Sequence, residues 1–326
     1  MGKTESSFNT ISDLHYNPAV EDIRKRVYVE LNAMAAVLHS SIIEPLFRDI
    51  STNCNSLLDD VAFLINTGQI NPFSAIRTSS DEPAAQVTDS PLRIGVYPVT
   101  ANPFHWAHLL IGLSALTRHK LDKIIYIISG DDPHKPVLVN AEARHRVGKK
   151  ILNLFAPFYK YSSIALGGNH DGETNIFRLL ALNPEQKVDA YYMVGADHYQ
   201  RSNPVTGVPD TIQKLEDNLR NKIYGFNEEM HHISVIFIKR GTINQSVDSE
   251  LDISFLPEMP FAASSTVVRD AFQGNQPLDT LALLPYTAMT NADIYQPCKN
   301  YLFSWDSKKS DVKRLNPLNF SVSYGV

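Results

Sequence analysis

Cysteine is scarce in this chain of 326 residues, which contains only Cys54 and Cys298. Two thiols so far apart in sequence build neither a disulfide framework nor a metal site made of cysteines. A reducing compartment suits such a chain best, and we therefore expect a cytoplasmic protein.

Long apolar runs and an excess of positive charge are also missing. No stretch of about 18 uncharged apolar residues predicts a membrane span, and the first ten residues hold no apolar core typical of a signal peptide. The net charge is −5 and the pI is near 6.1, which does not favour a nucleic-acid partner. The sequence leaves the oligomeric state open.

The composition, 43% hydrophobic and 20% charged, is typical of a globular protein, and the length allows roughly two units of about 100–200 residues. Apolar residues recur at helical spacing through residues 18–70, so we expect a helical N-terminal region over residues 1–70. Residues 71–91 are rich in Pro, Ser, Thr and Ala and read as a linker. A single further domain is predicted over residues 92–326.

Short apolar runs alternate with helical patterns after residue 91. Strands are predicted at 94–97, 124–128, 190–194 and 235–238, and helices at about 106–119, 141–154, 211–222 and 265–273. This alternation predicts an α/β fold, a Rossmann-like doubly wound parallel sheet with helices on both faces. Ligands of such sheets bind beyond the carboxyl ends of the strands, at the switch point.

The loop after the first predicted strand carries two histidines. Tyr97 ends the strand, and His105 and His108 lie three residues apart at the start of the next helix. The free N–H groups of a helix N-terminus attract anions, so two imidazoles there make a polyphosphate site plausible. Taken alone, such a pair is more typical of ordinary surface histidines at a helix start, and its position after the first strand is what favours a functional role.

The loops after the other strands supply further candidates. Lys135 can deliver a positive charge to a phosphate, Asp197 can accept from a ribose hydroxyl or help hold a cation, and Arg240 can stack on a base or bind a carboxylate. Gly195 lets a ligand approach the backbone. One side chain among residues 144–146 can face the same site, although helical arginines are usually solvated.

A cluster of hydroxyls precedes the last predicted helix. Consecutive hydroxyls at a helix start are good caps, and the same geometry binds phosphate. The cluster consists of Ser264, Ser265 and Thr266, with Arg269 one turn further on the same face. Capping alone explains Ser264 but not three hydroxyls followed by an arginine at that spacing.

Together these motifs resemble the nucleotidyltransferase superfamily of the (H/T)xGH type, and most closely the nicotinate/nicotinamide mononucleotide adenylyltransferases. The family pattern GGxFxPxHxGH is matched at Asn102, Pro103, His105 and His108, and the PPHK-like loop at residues 133–135. The GxD, strand-ending arginine and ISSTxxR patterns are matched at Gly195 and Asp197, Arg240, and Ser264, Ser265, Thr266 and Arg269. All five patterns occur in family order over about residues 92–290, and the Ser-Ser-Thr form indicates an adenylyl enzyme.

The resemblance implies that ATP and a mononucleotide phosphate are the substrates, with Mg²⁺ bound mainly through the ATP phosphates. It assigns His105, His108, Lys135 and Arg269 to the reacting phosphates, and Thr174 and Arg240 to the acceptor. It also assigns nucleotide binding to Tyr97, Thr100, Asn102, Gly195, Asp197, Ser264, Ser265 and Thr266. No protein metal ligand is implied.

The chain departs from the family at three loop glycines, which are replaced by Pro98, Val99 and Ala107. Two alternatives therefore stay open. One is a non-catalytic or altered-specificity nucleotide-binding protein on the same fold. The other is a metallophosphoesterase, because residues 12–15, 130–132 and 168–171 resemble the DxH, GD and GNHD blocks of that class. Its DxH block follows no predicted buried strand, and no terminal GHxH exists.

Overall fold

The computed structural model describes residues 14–38, 43–130, 140–168, 170–200, 207–239, 249–258, 264–272 and 278–291. Two long helices come first, α1 (Pro18–Leu38) and α2 (Ile43–Asn66). Six strands follow: β1 (Leu92–Val99), β2 (Lys123–Ile128), β3 (Tyr159–Ser162), β4 (Val188–Gly195), β5 (His231–Ile238) and β6 (Asp252–Leu256). The strands are connected or followed by seven described helices: α3 (Trp106–His119), α4 (Ala141–Leu152), α5 (Gly172–Ala181), α6 (Ala196–Gln200), α7 (Asp210–Arg220), α8 (Ser265–Phe272) and α9 (Tyr286–Met289). Short 3₁₀ turns occupy Asn153–Phe155, Ile223–Gly225 and Leu278–Leu283.

The six strands form one sheet in the order β3-β2-β1-β4-β5-β6, and every neighbouring pair is parallel. The chain winds outward from β1 in one direction and then returns to continue in the other, so the switch point lies between β1 and β4. This arrangement confirms the prediction of a Rossmann-like α/β fold.

The pleat of each strand divides the apolar core between the two faces of the sheet. Tyr97 and Val99 of β1 point to the first face, which α3, α4 and α8 cover, whereas Ile94 and Val96 point to the second face, which α5 and α7 cover. Successive strand residues alternate in this way because side chains repeat every second position.

The N-terminal helices pack on the first face rather than apart from it. Met34 of α1 and Leu58 of α2 are fully buried in the same apolar cluster as the inner side of α3. The Glu30 carboxylate also binds α9, accepting from the Thr287 N–H at 2.8 Å and from its hydroxyl at 2.6 Å. The described helices of the predicted N-terminal region, α1 and α2, thus share one core with the sheet.

Residues 71–91 contain no helix or strand, yet they are bonded to the sheet along much of their length. The Thr78 hydroxyl donates to the Tyr161 carbonyl oxygen at 3.0 Å, and the Ser162 hydroxyl donates to the Thr78 carbonyl oxygen at 2.7 Å. Glu82 forms an ion pair with Lys160 at 2.9 Å. The segment interpreted as a linker therefore lines the outer edge of β3.

The sequence reading missed two strands and one long helix. The edge strands β3 and β6 lack a run of apolar residues, since Lys160, Asp252 and Ser254 interrupt them, and each lies at a rim where one ladder is unpaired. Helix α5 was also not predicted. No helix in the described part of the chain is both long and apolar enough to cross a membrane.

Candidate functional site

Strand β1 leads directly into the loop that carries most of the predicted site. Its pairing with β4 ends at Val96, whereas its pairing with β2 continues to Val99. The carboxyl ends of β1 and β4 therefore separate, and a crevice opens at the switch point, where ligands of this fold bind. Pro98 and Val99, which replace two family glycines, lie within the strand and not in the loop after it.

His105 and His108 lie against each other at the start of α3. Their rings stack with centroids 3.7 Å apart and an interplanar angle of 24°. The His105 N–H donates to Nδ1 of His108 at 3.3 Å, so this nitrogen carries a lone pair and the proton of the neutral imidazole is on Nε2. His105 is buried, and His108 is half-buried.

Aromatic rings hold the His108 imidazole in place. The ring centroid of Phe104 is 5.1 Å away and that of Tyr97 is 6.3 Å away, both edge-on. The Tyr126 hydroxyl donates to the carbonyl oxygen of His108 at 2.9 Å. Edge-on aromatic contacts and a buried hydroxyl partner restrict both the ring and its backbone, so the imidazole is preorganised.

The start of α8 docks on the same loop. Nη1 of Arg269 donates to the Asn102 carbonyl oxygen at 2.7 Å, and the Ser265 hydroxyl donates to the Pro103 carbonyl oxygen at 3.0 Å. The peptide bond between Asn102 and Pro103 is cis. The start of α8 therefore lies against the loop that leads into the N-terminus of α3.

The three hydroxyls before Arg269 have different partners. The Ser264 oxygen accepts from the backbone N–H of Val267 at 3.1 Å, which is the bond expected of a helix cap. Thr266 is exposed, and its hydroxyl oxygen accepts from Nη2 of Arg269 at 3.0 Å. The guanidinium is thus bound on two sides and fixed at the junction of the two motifs.

Gly195 and Asp197 lie at the carboxyl end of β4, on the other side of the crevice. The Asp197 side chain folds back over Gly195, where a Cβ atom would collide with Oδ1 of the carboxylate. His198 follows, with Nε2 3.9 Å from the Asp197 carboxylate. The two predicted residues share the sheet edge with the histidine loop because β1 and β4 are neighbours in the sheet.

Helix α5 begins against the crevice from the second face. A Cβ atom on Gly172 would lie 2.9 Å from Cγ of Pro98 and would collide with the hydroxyl of Tyr192, so the helix start touches both β1 and β4. Asp171 caps this helix by accepting from the backbone N–H of Thr174 at 2.8 Å. This bond and nearby Lys214 hold the pKa of Asp171 below its ordinary value against the opposing effect of burial. Thr174 lies in this first turn of α5, on the face of the sheet opposite α3 and α8.

Thr100 and the loop after β2 are held by Arg144, which is buried although helical arginines are usually solvated. Nη1 of Arg144 donates to the carbonyl oxygens of Thr100 at 2.7 Å and Ser129 at 2.8 Å, and Nη2 donates to that of Gly130 at 2.9 Å. The sequence left open which residue of 144–146 faces the site. Arg144 follows two alanines in the first turn of α4, and their burial, like its own, is visible only in the structure.

Lys135, with the matched loop 133–135, and Arg240 lie outside the described residues. So do Asp13, Asp131 and Asn169, which belong to the blocks that resemble a metallophosphoesterase. Within the described part of the chain, no group of three His, Cys, Asp or Glu side chains is arranged to hold a metal ion.

No family model matches the chain. The chain is 29% identical over 110 residues to a probable nicotinate-nucleotide adenylyltransferase of Thermoanaerobacter sp. (strain X514). This alignment covers 32% of this chain and 51% of that protein. The similarity thus spans about half the length of this first relative. It is 26% identical over 183 residues to the probable enzyme of Clostridium novyi (strain NT), covering 50% of this chain and 90% of that one.

The chain is also 25% identical over 192 residues to the nicotinate-nucleotide adenylyltransferase of Bacillus subtilis (strain 168), covering 58% of this chain and 90% of that one. Among solved structures, nicotinic acid mononucleotide adenylyltransferase of Plasmodium falciparum, complexed with NaAD, aligns with 14% identity and a TM-score of 0.44. That alignment covers 65% of this chain and 97% of that one.

The six parallel strands and their flanking helices define a Rossmann-like α/β protein with a crevice at the switch point of its sheet. The chain is related to the nicotinate-nucleotide adenylyltransferases, and through them to the nucleotidyltransferase superfamily. The sequence similarity to the Clostridium and Bacillus proteins supports this relationship.

Proposed function

We propose that this protein is an adenylyltransferase that joins the AMP of ATP to the phosphate of nicotinate or nicotinamide mononucleotide. The oxygen of the mononucleotide phosphate attacks the α-phosphorus of ATP, the bond to the bridging oxygen breaks, and pyrophosphate leaves. The product is the corresponding adenine dinucleotide, so the reaction belongs to NAD biosynthesis. The attacking phosphate is ionised at neutral pH, and the reaction therefore needs no general base.

One observation carries the proposal: Arg269 and Ser265 of α8 bind the loop that leads to His105 and His108. Two motifs distant in sequence thus meet where two helix N-termini point. A leaving pyrophosphate gathers negative charge at one place, and fixed N–H donors with a guanidinium stabilise that charge without reorganising. We assign the β- and γ-phosphates of ATP to this junction.

The imidazoles would act as neutral donors in this arrangement. Because Nδ1 of His108 accepts from the backbone, Nε2–H is the group that can donate to a phosphate oxygen. The stacked His105 ring leaves the pair little freedom to rotate. Their role is to hold the triphosphate so that the α-phosphorus lies at the end of β1, near Thr100.

The acceptor would approach from the second face. Attacking and leaving oxygens lie roughly in line through the transferring phosphorus, so an acceptor opposite the α8 junction lies beside the start of α5. We therefore assign Thr174 to the acceptor side, and Gly195 and Asp197 to the nucleoside at the end of β4. Lys135 and Arg240 stay proposals made from the sequence alone.

The described donor set consists mainly of imidazole, hydroxyl and guanidinium groups, which suit phosphate oxygens better than a bare divalent cation. We therefore propose that Mg²⁺ arrives with ATP as part of the substrate, where it would neutralise part of the phosphate charge. The buried thiol of Cys54 is in keeping with a reducing compartment, and we propose a cytoplasmic location.

The test is to incubate the purified protein with ATP, Mg²⁺ and one acceptor at a time, and to measure pyrophosphate and dinucleotide together. The acceptors are nicotinate mononucleotide, nicotinamide mononucleotide and phosphopantetheine. Equal amounts of pyrophosphate and dinucleotide with a pyridine mononucleotide support the proposal. Tight ATP binding without pyrophosphate from any acceptor contradicts it and favours the non-catalytic alternative, which the buried Ala107 in place of a loop glycine motivates.

A further inference from the structure

We infer that Arg144 is a positioning residue of the reaction: its buried guanidinium sets the distance between the loops that follow β1 and β2. The inference rests on the proposed function. Arg144 lies on α4, next to the carboxyl ends of β1 and β2. It acts through the backbone of Thr100, Ser129 and Gly130.

The contacts of Arg144 form a planar fork. Nη1 donates to the carbonyl oxygens of Thr100 and Ser129 and to the Ser129 hydroxyl, at 2.7, 2.8 and 3.1 Å, and Nη2 donates to the Gly130 carbonyl oxygen at 2.9 Å. Only 1% of the surface of Arg144 is exposed. A guanidinium presents several N–H groups in one fixed plane, whereas an ammonium group is a compact point charge that cannot span these acceptors equally.

Two further contacts lie beside this bridge. The Ser129 N–H donates to the Val99 carbonyl oxygen at 2.9 Å, which joins the strand ends, and His145 lies 3.3 Å from the Ser129 carbonyl oxygen. Beyond these strand ends, Arg144 is the described side chain that ties Thr100 to Gly130. Gly130 in turn lies against the loop after β3, since its Cβ would be 2.5 Å from the Ala165 carbonyl oxygen.

Thr100 begins the loop whose later carbonyls bind α8, at Asn102 and Pro103. The loop of residues 100–105 is therefore hydrogen-bonded to Arg144 at Thr100 and to Arg269 at Asn102. Ala101 between the two grips has φ of 52°, a left-handed backbone conformation that a non-glycine residue adopts only when its surroundings impose it. Loss of the bond between Arg144 and the Thr100 carbonyl oxygen would let the loop relax and would move the imidazoles away from the phosphates.

Such a shift of the loop would disturb the alignment of the reacting groups more than the affinity for ATP. Misplacement of reacting groups by about 1 Å lowers the rate by roughly 100-fold, whereas ATP affinity is spread over many contacts. We therefore expect Arg144→Ala to lower kcat by about 30- to 100-fold while the KM for ATP changes by less than about 5-fold. Arg144→Lys should lower kcat by about 10-fold, because it keeps the charge but not the fork.

Chemical rescue distinguishes positioning from general structural support. The alanine variant leaves a hole lined by four acceptor atoms, and guanidinium ion at about 50 mM, far below denaturing concentrations, should restore kcat by at least about 5-fold. Sodium chloride at equal ionic strength should not. The matched control is Lys150→Ala, at an exposed position in the last turn of the same helix, which should keep the wild-type kcat and show no rescue.

The outcomes separate the two proposals. Wild-type protein that releases no pyrophosphate with any acceptor contradicts the proposed function. Active wild-type protein whose Arg144→Ala variant keeps kcat within about 3-fold, or whose loss is not rescued by guanidinium in a folded variant, overturns the inference alone. If the alanine variant does not fold, Arg144→Lys decides: an unchanged kcat overturns the inference, and a fall in kcat at unchanged Tm and KM supports it.

Discussion

The guanidinium of Arg269 donates to the carbonyl oxygen of Asn102 at 2.7 Å, across 167 positions of sequence. This bond joins the last predicted motif of the chain to the first. It explains why the hydroxyl cluster and the histidine pair, each weak as an isolated signal, form one site. A buried backbone oxygen that accepts from a charged donor also makes the junction expensive to open.

Replacing Arg269 tests this junction directly. Arg269→Met keeps the length of the side chain but leaves the Asn102 carbonyl oxygen without its donor and removes a charge from the proposed phosphate site. We expect kcat/KM for ATP to fall by at least about 50-fold. Steady-state pyrophosphate release measures it, and Arg220→Met, at the exposed end of α7, is the control. Equal kcat/KM values for the two variants would remove Arg269 from the site.

His108 is expected to be the more sensitive of the two histidines. His108→Ala removes the Nε2 donor and the ring on which His105 stacks, and turnover should fall by at least about 100-fold, the scale of losing one preorganised donor. The control is His232→Ala, an exposed histidine at the opposite end of the sheet. Near-normal turnover of the His108 variant would refute the assignment of the phosphate site.

Gly172 tests the contact of α5 with the crevice. An alanine methyl would meet the Tyr192 hydroxyl and Cγ of Pro98, so Gly172→Ala should lower the free energy of unfolding by about 1–3 kcal/mol, as overpacking does. Adding Tyr192→Phe removes one of the two clashes and should recover part of that loss. Urea denaturation of the single and double variants checks both values. Additive losses would mean that α5 does not touch β4 as described.

The same Gly172 variant separates the two sides of the proposed reaction. If the acceptor lies beside α5 and the triphosphate lies at the α8 junction, KM for the mononucleotide should rise by about 10-fold while KM for ATP stays within about 2-fold. Initial rates at varied concentration of each substrate give the two constants. A rise in the KM for ATP alone would place the acceptor elsewhere.

Lys123 gives the protein a distinctive pH dependence of stability. Burial, with a smaller contribution from nearby Lys160, lowers its pKa from 10.5 to about 8, although Asp122 opposes the shift. Between pH 8 and 10.5 this lysine binds more protons in the unfolded chain than in the folded one, so its contribution to the free energy of unfolding rises with pH over this window. Below pH 8 both states are protonated, and the cost of the buried charge, on the order of 3 kcal/mol, is constant.

Comparison with Lys123→Met isolates this effect. Stability of the wild type minus that of the variant should increase from pH 8 to pH 10.5 and stay level below pH 8. Chemical denaturation at pH 7, 8, 9 and 10 measures it. A difference that stays constant through pH 10 would mean that the lysine titrates at its ordinary pKa in the folded protein.

Glu30 tests whether the N-terminal helices and the sheet domain share one core. Glu30→Gln weakens two charge-assisted bonds to Thr287, and its amide group presents a donor to the Thr287 N–H in one of two orientations. We expect a loss of about 1–3 kcal/mol in the free energy of unfolding and a single unfolding transition. The control, Glu44→Gln on an exposed turn of α2, should change it by less than about 0.5 kcal/mol. Two separate transitions would mean that the two regions unfold independently.

The central strands could be predicted from the sequence because buried parallel strands are apolar on both faces. Ile124–Ile128 shows this pattern, and the observed strand differs from it by one residue. The edge strand at Tyr159–Ser162 carries a lysine and a serine, which residues 71–91 bind in the folded protein. No local pattern announces a strand whose polar groups are satisfied by a distant segment.

The members of the site could be proposed from residue types and order, but their contacts could not. Consecutive hydroxyls before a helix indicate either a cap or a phosphate site, and Ser264 forms the cap while Ser265 binds the Pro103 carbonyl oxygen. Arg144 was recognised only as one of three candidates. Its burial depends on two loops that approach it from other parts of the sheet, which sequence spacing does not encode.

The division of the core between the two faces of the sheet has a consequence for how the substrate specificity of such a protein evolves. Helices α3 and α8 belong to one face and α5 to the other, and β1 and β4 stand between them. Under the proposed reaction, substitutions around α5 would retune the choice of acceptor while the handling of the common co-substrate is inherited intact. Diversification of such a catalyst would then need only half of its interior to vary.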